Sequence, residues 1–268
     1  MNLKSKYLRE FINEIQYHNR NPKDITALEL LDDISTNPEI VIEKNSLLYR
    51  CRIVLNKNEV EKTKGFHGYN AEGSFVPPPK DTRDMRANYR YIPYLYCANN
   101  PYISLVEVRP SLGSLVSVAT IEVKEPIRLL DFTVQQKPSQ MTDAKKNLFL
   151  DLSMLYSSPV SNTDDILDYI PTQYIAEYVK SKGYDGIAFS SSLVPEINEQ
   201  RPERFNIVIF NYNKCFAKKS NLISVSGVEI RCEQIDNDAS RLDICNLTEE
   251  MVDEIISIQD SIINGDNK

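Results

Sequence analysis

Short strand-like runs between residues 47 and 210 constrain the fold of this chain more than any other feature of its sequence. Runs such as LLYRCRIVL, LVSVATIEV and NIVIF are rich in β-branched, aromatic and apolar residues, which is typical of strands buried on at least one face. Single helical segments separate some of these runs, but strands and helices do not alternate regularly. Because a doubly wound parallel sheet requires that alternation, the sequence predicts an α+β domain.

Two flanking segments differ from this central part. Residues 1–45 space their apolar side chains at helical intervals, as Leu8, Phe11 and Ile15 do, and predict a short helical N-terminal extension. Residues 236–268 carry nine acidic side chains, two basic ones and an apolar stripe, which predicts an acidic C-terminal helical segment. We expect the main domain to span residues 46–235, and the C-terminal stripe to pack on that domain or on a second copy in a homo-oligomer.

Composition and missing motifs argue against several classes of protein. The five cysteines form no CxxC pair and only two histidines are present, so we expect no disulfide framework and no metal site. No GxxxxGK phosphate loop, GxGxxG fingerprint or GxSxG elbow occurs. The net charge of −7, without a basic stretch, argues against a nucleic-acid partner. No apolar run reaches the roughly 18–20 residues of a membrane span and the first residues do not resemble a secretory signal, so we expect a cytoplasmic protein without a membrane partner.

Four side chains stand at positions that call for an explanation. Arg50 lies inside a strand-like run, where a desolvated guanidinium needs either an internal carboxylate or a bound ligand. Glu107 lies among apolar neighbours, although a solvated helix face would also explain it. Ser191 follows the run GIAF, where a polar turn is the alternative, and Tyr96 lies on a strand, where aromatic residues are common.

Four blocks of the chain, in order, resemble the RES domain family. They are LLYRCR, FVPPPKDTRDMRANYRYIPYLYCANNPYISLVEVRP, YIPTQYIAEYVKSKGYDGIAFSSSL and NIVIF, within residues 47–215. The resemblance implies an ADP-ribosyltransferase-like catalytic domain over residues 46–235. Its core would be a mixed, split β-sheet with flanking helices.

The resemblance also implies the site residues. The family's catalytic arginine, tyrosine, glutamate and serine fall on Arg50, Tyr96, Glu107 and Ser191. The residues implied to bind NAD⁺ are Arg50, Arg86, Asn88, Tyr96 and Ser191.

What the family implies is an enzyme that degrades NAD⁺ as its substrate, without a metal, by hydrolysis or phosphorolysis of the nicotinamide–ribose bond. RES proteins often act as toxins paired with Xre-type antitoxins, so an antitoxin partner is an expectation. Two alternatives stay open. One is an ADP-ribosyltransferase that modifies a macromolecule, and the other is a non-catalytic interaction module in which Arg50 and Glu107 form a structural ion pair.

Overall fold

A mixed β-sheet of eight strands runs through the part of the chain that the structure describes. The computed structural model describes residues 3–23, 25–60, 63, 65–133, 141–158, 166–191, 193 and 204–228. The strands are β1 (Glu39–Ile42), β2 (Leu47–Ile53), β3 (Leu95–Ala98), β4 (Leu115–Val123), β5 (Ile127–Asp131), β6 (Gly186–Ser190), β7 (Phe205–Ile209) and β8 (Cys215–Ser224). Their spatial order is β1-β5-β6-β7-β3-β2-β4-β8. β5 and β6 pair in parallel, and the other neighbouring strands are antiparallel.

Five α-helices of the described residues accompany the sheet. They are α1 (Lys6–Tyr17), α2 (Thr26–Asp32), α3 (Pro101–Glu107), α4 (Asp143–Ser157) and α5 (Ile166–Ser181). Side chains cap three of them at the N-terminus: Ser5 accepts from the Leu8 amide, Asn100 from Tyr102 and Thr142 from Lys145. Such caps satisfy backbone N–H groups that have no partner inside a helix.

The core is divided between the two faces of the sheet. Leu130, Ile187 and Val208 of β5, β6 and β7 pack with α1, α2, α4 and α5 on one face. Their strand neighbours, such as Leu129 and Ile207, belong to a second apolar cluster on the other face. This division follows from the strand period of two, which sends successive side chains to opposite faces.

The sheet splits between β2 and β3. These strands are paired only at Tyr49 and Ala98, although β2 pairs with β4 along its whole length. The amide of Cys51, two residues further along β2, donates instead to Ser104 Oγ of α3 at 2.8 Å. Because α3 takes up this donor, the two strands can diverge without leaving a buried N–H unsatisfied. The predicted α+β class with a mixed, split sheet is confirmed.

One expectation for local structure was wrong. The N-terminal extension is not helical throughout, because residues 39–42 form the edge strand β1, whose EIVI sequence suits a strand better than a helix. α5 begins at Ile166 and continues through Pro171.

One strand was not anticipated, and one predicted segment lies outside the described residues. The edge strand β8 contains Lys218 and Lys219, and its apolar residues alternate only weakly. The sequence pattern therefore did not indicate a strand there. The acidic segment 236–268 lies outside the residues that the structure describes. In the part of the chain that is described, no helix is long and apolar enough to cross a membrane.

Candidate active site

A cavity of about 710 Å³ opens at the split in the sheet. Arg50 lines it from β2, Tyr96 from β3, Glu107 from the end of α3 and Arg86 from the loop before β3. The volume falls within the roughly 300–1,000 Å³ of typical ligand pockets. The fold thus brings together four of the side chains singled out from the sequence, although they are far apart along the chain.

Arg50 brings an uncompensated positive charge to this cavity. Its Nε and Nη1 atoms are buried and have no hydrogen-bond partner among the described residues. Burial lowers the pKa of Arg50 from 12.5 to about 10, and the nearby charge of Arg52 adds to the effect. The group therefore remains a cation at neutral pH. A buried cation without a carboxylate is costly, so this arrangement is typical of a site for an anionic ligand.

Glu107 is exposed at the C-terminal end of α3 and is held by two hydrogen bonds. Ser191 Oγ, just after β6, and Asn206 Nδ2, on β7, each donate to Glu107 Oε1 at 2.7 Å. Both bonds go to the same oxygen, so Oε2 has no protein partner within the described residues. No ion pair joins Glu107 to Arg50 in that part of the chain, so the structural ion pair of the non-catalytic alternative is not found.

Tyr96 uses its hydroxyl inside the protein. It donates to Asn88 Oδ1 at 2.7 Å and accepts from the amide of Ala87 at 3.3 Å. Burial raises the pKa of Tyr96 above its usual value. The ring of Tyr96 lines the cavity, whereas Asn88 is only 1% exposed and does not line it. Asn88 therefore lies behind Tyr96 and holds the side chain that lines the cavity.

Arg86 reaches the cavity from a loop that folds against α4 and α5. Its Nη1 donates to the carbonyl of Leu155 at 2.9 Å, in the last turn of α4, and its guanidinium lies 5.7 Å from the ring centre of Tyr169. Both contacts favour a positive charge, since a helix C-terminus and an aromatic face are electronegative.

Asn206 lines the cavity and Gln173 bonds the loop behind it, but neither was singled out from the sequence. Asn206 is a polar residue at the start of the buried strand run FNIVI, which was the available signal. Gln173 lies in the helical block YIPTQYIAEY and is 1% exposed. A buried amide implies hydrogen-bond partners, but the sequence could not say which ones.

The model of the RES domain matches residues 59–227, more than half of the chain. The chain belongs to the RES domain family. The matched residues include Arg86, Glu107 and Ser191, whereas Arg50 precedes them. Because RES domain proteins act on NAD⁺, membership supports a NAD-related function in general.

The chain is also similar to a solved structure. It comes from the M. tuberculosis MbcT–MbcA toxin–antitoxin complex, with 14% sequence identity and a TM-score of 0.43. The likeness covers 75% of this chain and 92% of the other chain. None of the curated proteins matches.

Proposed function

We propose that this RES domain protein degrades NAD⁺ by cleaving the bond between nicotinamide and ribose. The observation that carries the proposal is the unpaired, buried guanidinium of Arg50 in a cavity that also holds the carboxylate of Glu107. NAD⁺ has a pyrophosphate that needs a cation. It also has a ribose carbon that becomes positively charged as nicotinamide departs. One cavity therefore offers a complementary charge for each part of the substrate.

Arg50 and Arg86 are proposed to bind the pyrophosphate. A guanidinium presents several N–H donors in a plane and can form paired hydrogen bonds to phosphate oxygens. Binding would place negative charge beside a guanidinium whose buried Nε and Nη1 have no partner in the described protein. The desolvation of Arg50 would then be offset only when the substrate is present.

Glu107 is proposed to stabilise the positive charge that develops on the ribose. Ser191 and Asn206 hold Oε1, so the carboxylate is oriented before the substrate arrives. An oriented charge costs no reorganisation during the reaction, which is the condition for effective electrostatic catalysis. Nicotinamide leaves as a neutral molecule, so the site needs no strong general acid.

Tyr96 and Ser191 are proposed to act in different ways. The ring of Tyr96 forms a wall against the nicotinamide or the ribose, while its hydroxyl is already used by Asn88 and Ala87. Ser191 touches Glu107 directly and is proposed to orient it. Asn88 is proposed to support Tyr96 rather than to contact NAD⁺.

A toxin-type role, with an antitoxin protein as partner, is proposed from the family. Free NAD⁺ is needed for growth, so a cell that makes an NAD⁺-degrading enzyme has to restrain it. Growth of cells that produce the wild-type chain, compared with cells that produce Glu107→Gln, tests this role. Equal growth at equal protein levels would contradict it.

The proposed reaction is tested by incubating the purified protein with NAD⁺ and measuring free nicotinamide. The second product identifies the acceptor: ADP-ribose means water, ADP-ribose phosphate means inorganic phosphate, and protein-bound ADP-ribose means a macromolecule. Glu107→Gln is the matched control, because its amide keeps the size and the accepting oxygen of the carboxylate. A folded wild-type protein that releases no nicotinamide, with and without phosphate, would refute the proposal.

A further inference from the structure

Gln173 of α5 holds the base of the turn that carries Arg86. Its side-chain nitrogen Nε2 lies 2.9 Å from the carbonyl of Asn88, 3.0 Å from that of Met85 and 3.2 Å from Oδ1 of Asp84. Gln173 is 1% exposed, so water does not replace these bonds. One buried amide group thus connects α5 to both ends of the turn.

The turn itself is short and is closed by its own backbone. The amide of Met85 donates to the carbonyl of Asn88 at 3.1 Å, and the amide of Asn88 donates to the carbonyl of Met85 at 3.3 Å. Arg86 and Ala87 are the two residues between them. Each of the two carbonyls accepts once from the turn and once from Gln173, which fills both lone pairs. The turn is therefore fixed at its base, and Arg86 projects from its tip.

The same turn is also held from the sheet, by hydrogen bonds to a side chain of β3. Tyr96 of β3 accepts from the amide of Ala87 and donates to the side chain of Asn88. The turn is thus held between α5 and β3, and its position relative to the cavity depends on both contacts. Gln173 makes the larger number of these bonds and does not line the cavity itself.

We propose that Gln173 is a positioning residue that sets Arg86 at the cavity and thereby controls affinity for the phosphate groups of the substrate. The identity of the substrate in this inference rests on the proposed function, whereas the hold of Gln173 on the turn rests on the structure alone. A side chain that presents N–H donors suits three oxygen acceptors around one point, which are the two carbonyls and Oδ1 of Asp84. A carboxylate of the same shape would face these oxygens with like charge, and an apolar side chain would leave two buried carbonyls without their second donor.

The variant Gln173→Met removes the N–H donors and keeps a similar side-chain volume. The variant Gln173→Glu keeps the shape of the side chain but replaces the donors by a negatively charged carboxylate. In either variant we expect KM for NAD⁺ to rise about 10- to 100-fold, with kcat changing much less, because a displaced clamp weakens binding of ground state and transition state together. The matched control is Gln16→Met. Gln16 donates from α1 to the carbonyl of Leu167 at 2.9 Å, away from the cavity, so its loss should leave KM unchanged.

A double-mutant cycle with Arg86→Ala separates positioning from a general loss of structure. If Gln173 acts through Arg86, then Gln173→Met should change KM less than twofold in the Arg86→Ala background, because the two effects are not additive. A rise in KM that is equally large with and without Arg86 would overturn the proposal.

Hydrogen exchange at the backbone amides of residues 85 and 88 tests the turn without any substrate. We expect these amides to exchange at least tenfold faster in Gln173→Met than in the wild type or in Gln16→Met. If the variant exchanges faster but the wild type neither binds nor cleaves NAD⁺, the proposed function is wrong and the hold of Gln173 on the turn is still supported. Unchanged exchange would overturn that hold, whatever the activity.

Discussion

Replacing Arg50 by Met should make the protein more stable while it removes the proposed function. Methionine has a similar length and fills a comparable space, but it carries no charge and needs no hydrogen bonds. In the described residues the Nε and Nη1 atoms of Arg50 are buried without partners, so the charge lowers the stability of the free protein. The variant removes that cost together with the proposed phosphate contact.

The size of the gain can be estimated from the pKa of Arg50. Its lowering from 12.5 to about 10 by burial and by Arg52 corresponds to about 3 kcal/mol, because a tenfold change in proton affinity is about 1.4 kcal/mol. Relaxation of the surroundings reduces the net effect, and replacing even buried ion pairs by apolar groups is neutral or stabilises proteins by about 1–4 kcal/mol. For a domain of this size each kcal/mol raises Tm by about 2–4 °C. We therefore expect Tm to rise by several degrees.

The pH dependence follows from the same pKa. Below pH 9 Arg50 is protonated in the folded and the unfolded chain, so the advantage of Arg50→Met should be constant from pH 6 to pH 9. As pH rises through about 10, the folded wild type loses the proton before the unfolded chain does. The folded wild type is then relieved of its buried charge, and the advantage should shrink.

The assay combines thermal melting with calorimetric titration of NAD⁺ on the same samples. Arg52→Met serves as the control, since exposed Arg52 stacks 4.6 Å from the ring centre of Tyr69 and bonds the carbonyl of Gly73. Arg52→Met relieves the repulsion between the two guanidinium groups but loses both of these contacts, so it should not raise Tm. If Arg50→Met instead lowers the free energy of unfolding by about 3–5 kcal/mol, Arg50 has an internal partner and the reasoning fails.

Three further predictions concern the cavity. Glu107→Gln should lower kcat for nicotinamide release by about 10²–10³ and leave Tm within about 2 °C of the wild type, and equal turnover would exclude an electrostatic role for the carboxylate. Tyr96→Phe loses the bond to Asn88, so it should cost about 1–2 kcal/mol of stability while turnover falls less than tenfold. A hundredfold loss of turnover in that variant would show that the hydroxyl takes part in the chemistry. Treatment with EDTA should not change turnover, and activity that returns only with a divalent ion would contradict this.

The elements that the sequence could predict are those with a strong local pattern. Runs of β-branched residues marked β4 and β7, and Asn100 followed by proline marked the start of α3. The class of fold and the family followed from these runs and from motif order. The edge strand β8 was missed, because strands at an edge carry lysines and show little apolar contrast.

The candidate site could be predicted only in part, because its contacts join distant residues. The motif match placed Arg50 and Glu107 in one site, but it could not show that Glu107 bonds Asn206 rather than Arg50. Nor could it show that the hydroxyl of Tyr96 is taken by Asn88. Partner choice of this kind depends on which strands are neighbours, and strand order is set by the whole chain rather than by local sequence.

The split in the sheet explains why an unpaired cation can exist in this fold at all. A continuous ladder between β2 and β3 would leave no cavity beside Arg50, and its side chain would have to be apolar or paired. The bond from Cys51 to Ser104 ends that ladder and at the same time ties α3, which carries Glu107, to the strand of Arg50. A cost of about 3 kcal/mol is tolerable against the 5–15 kcal/mol by which domains are stable. The local instability at Arg50 is thus what the proposed anion site at this position would require.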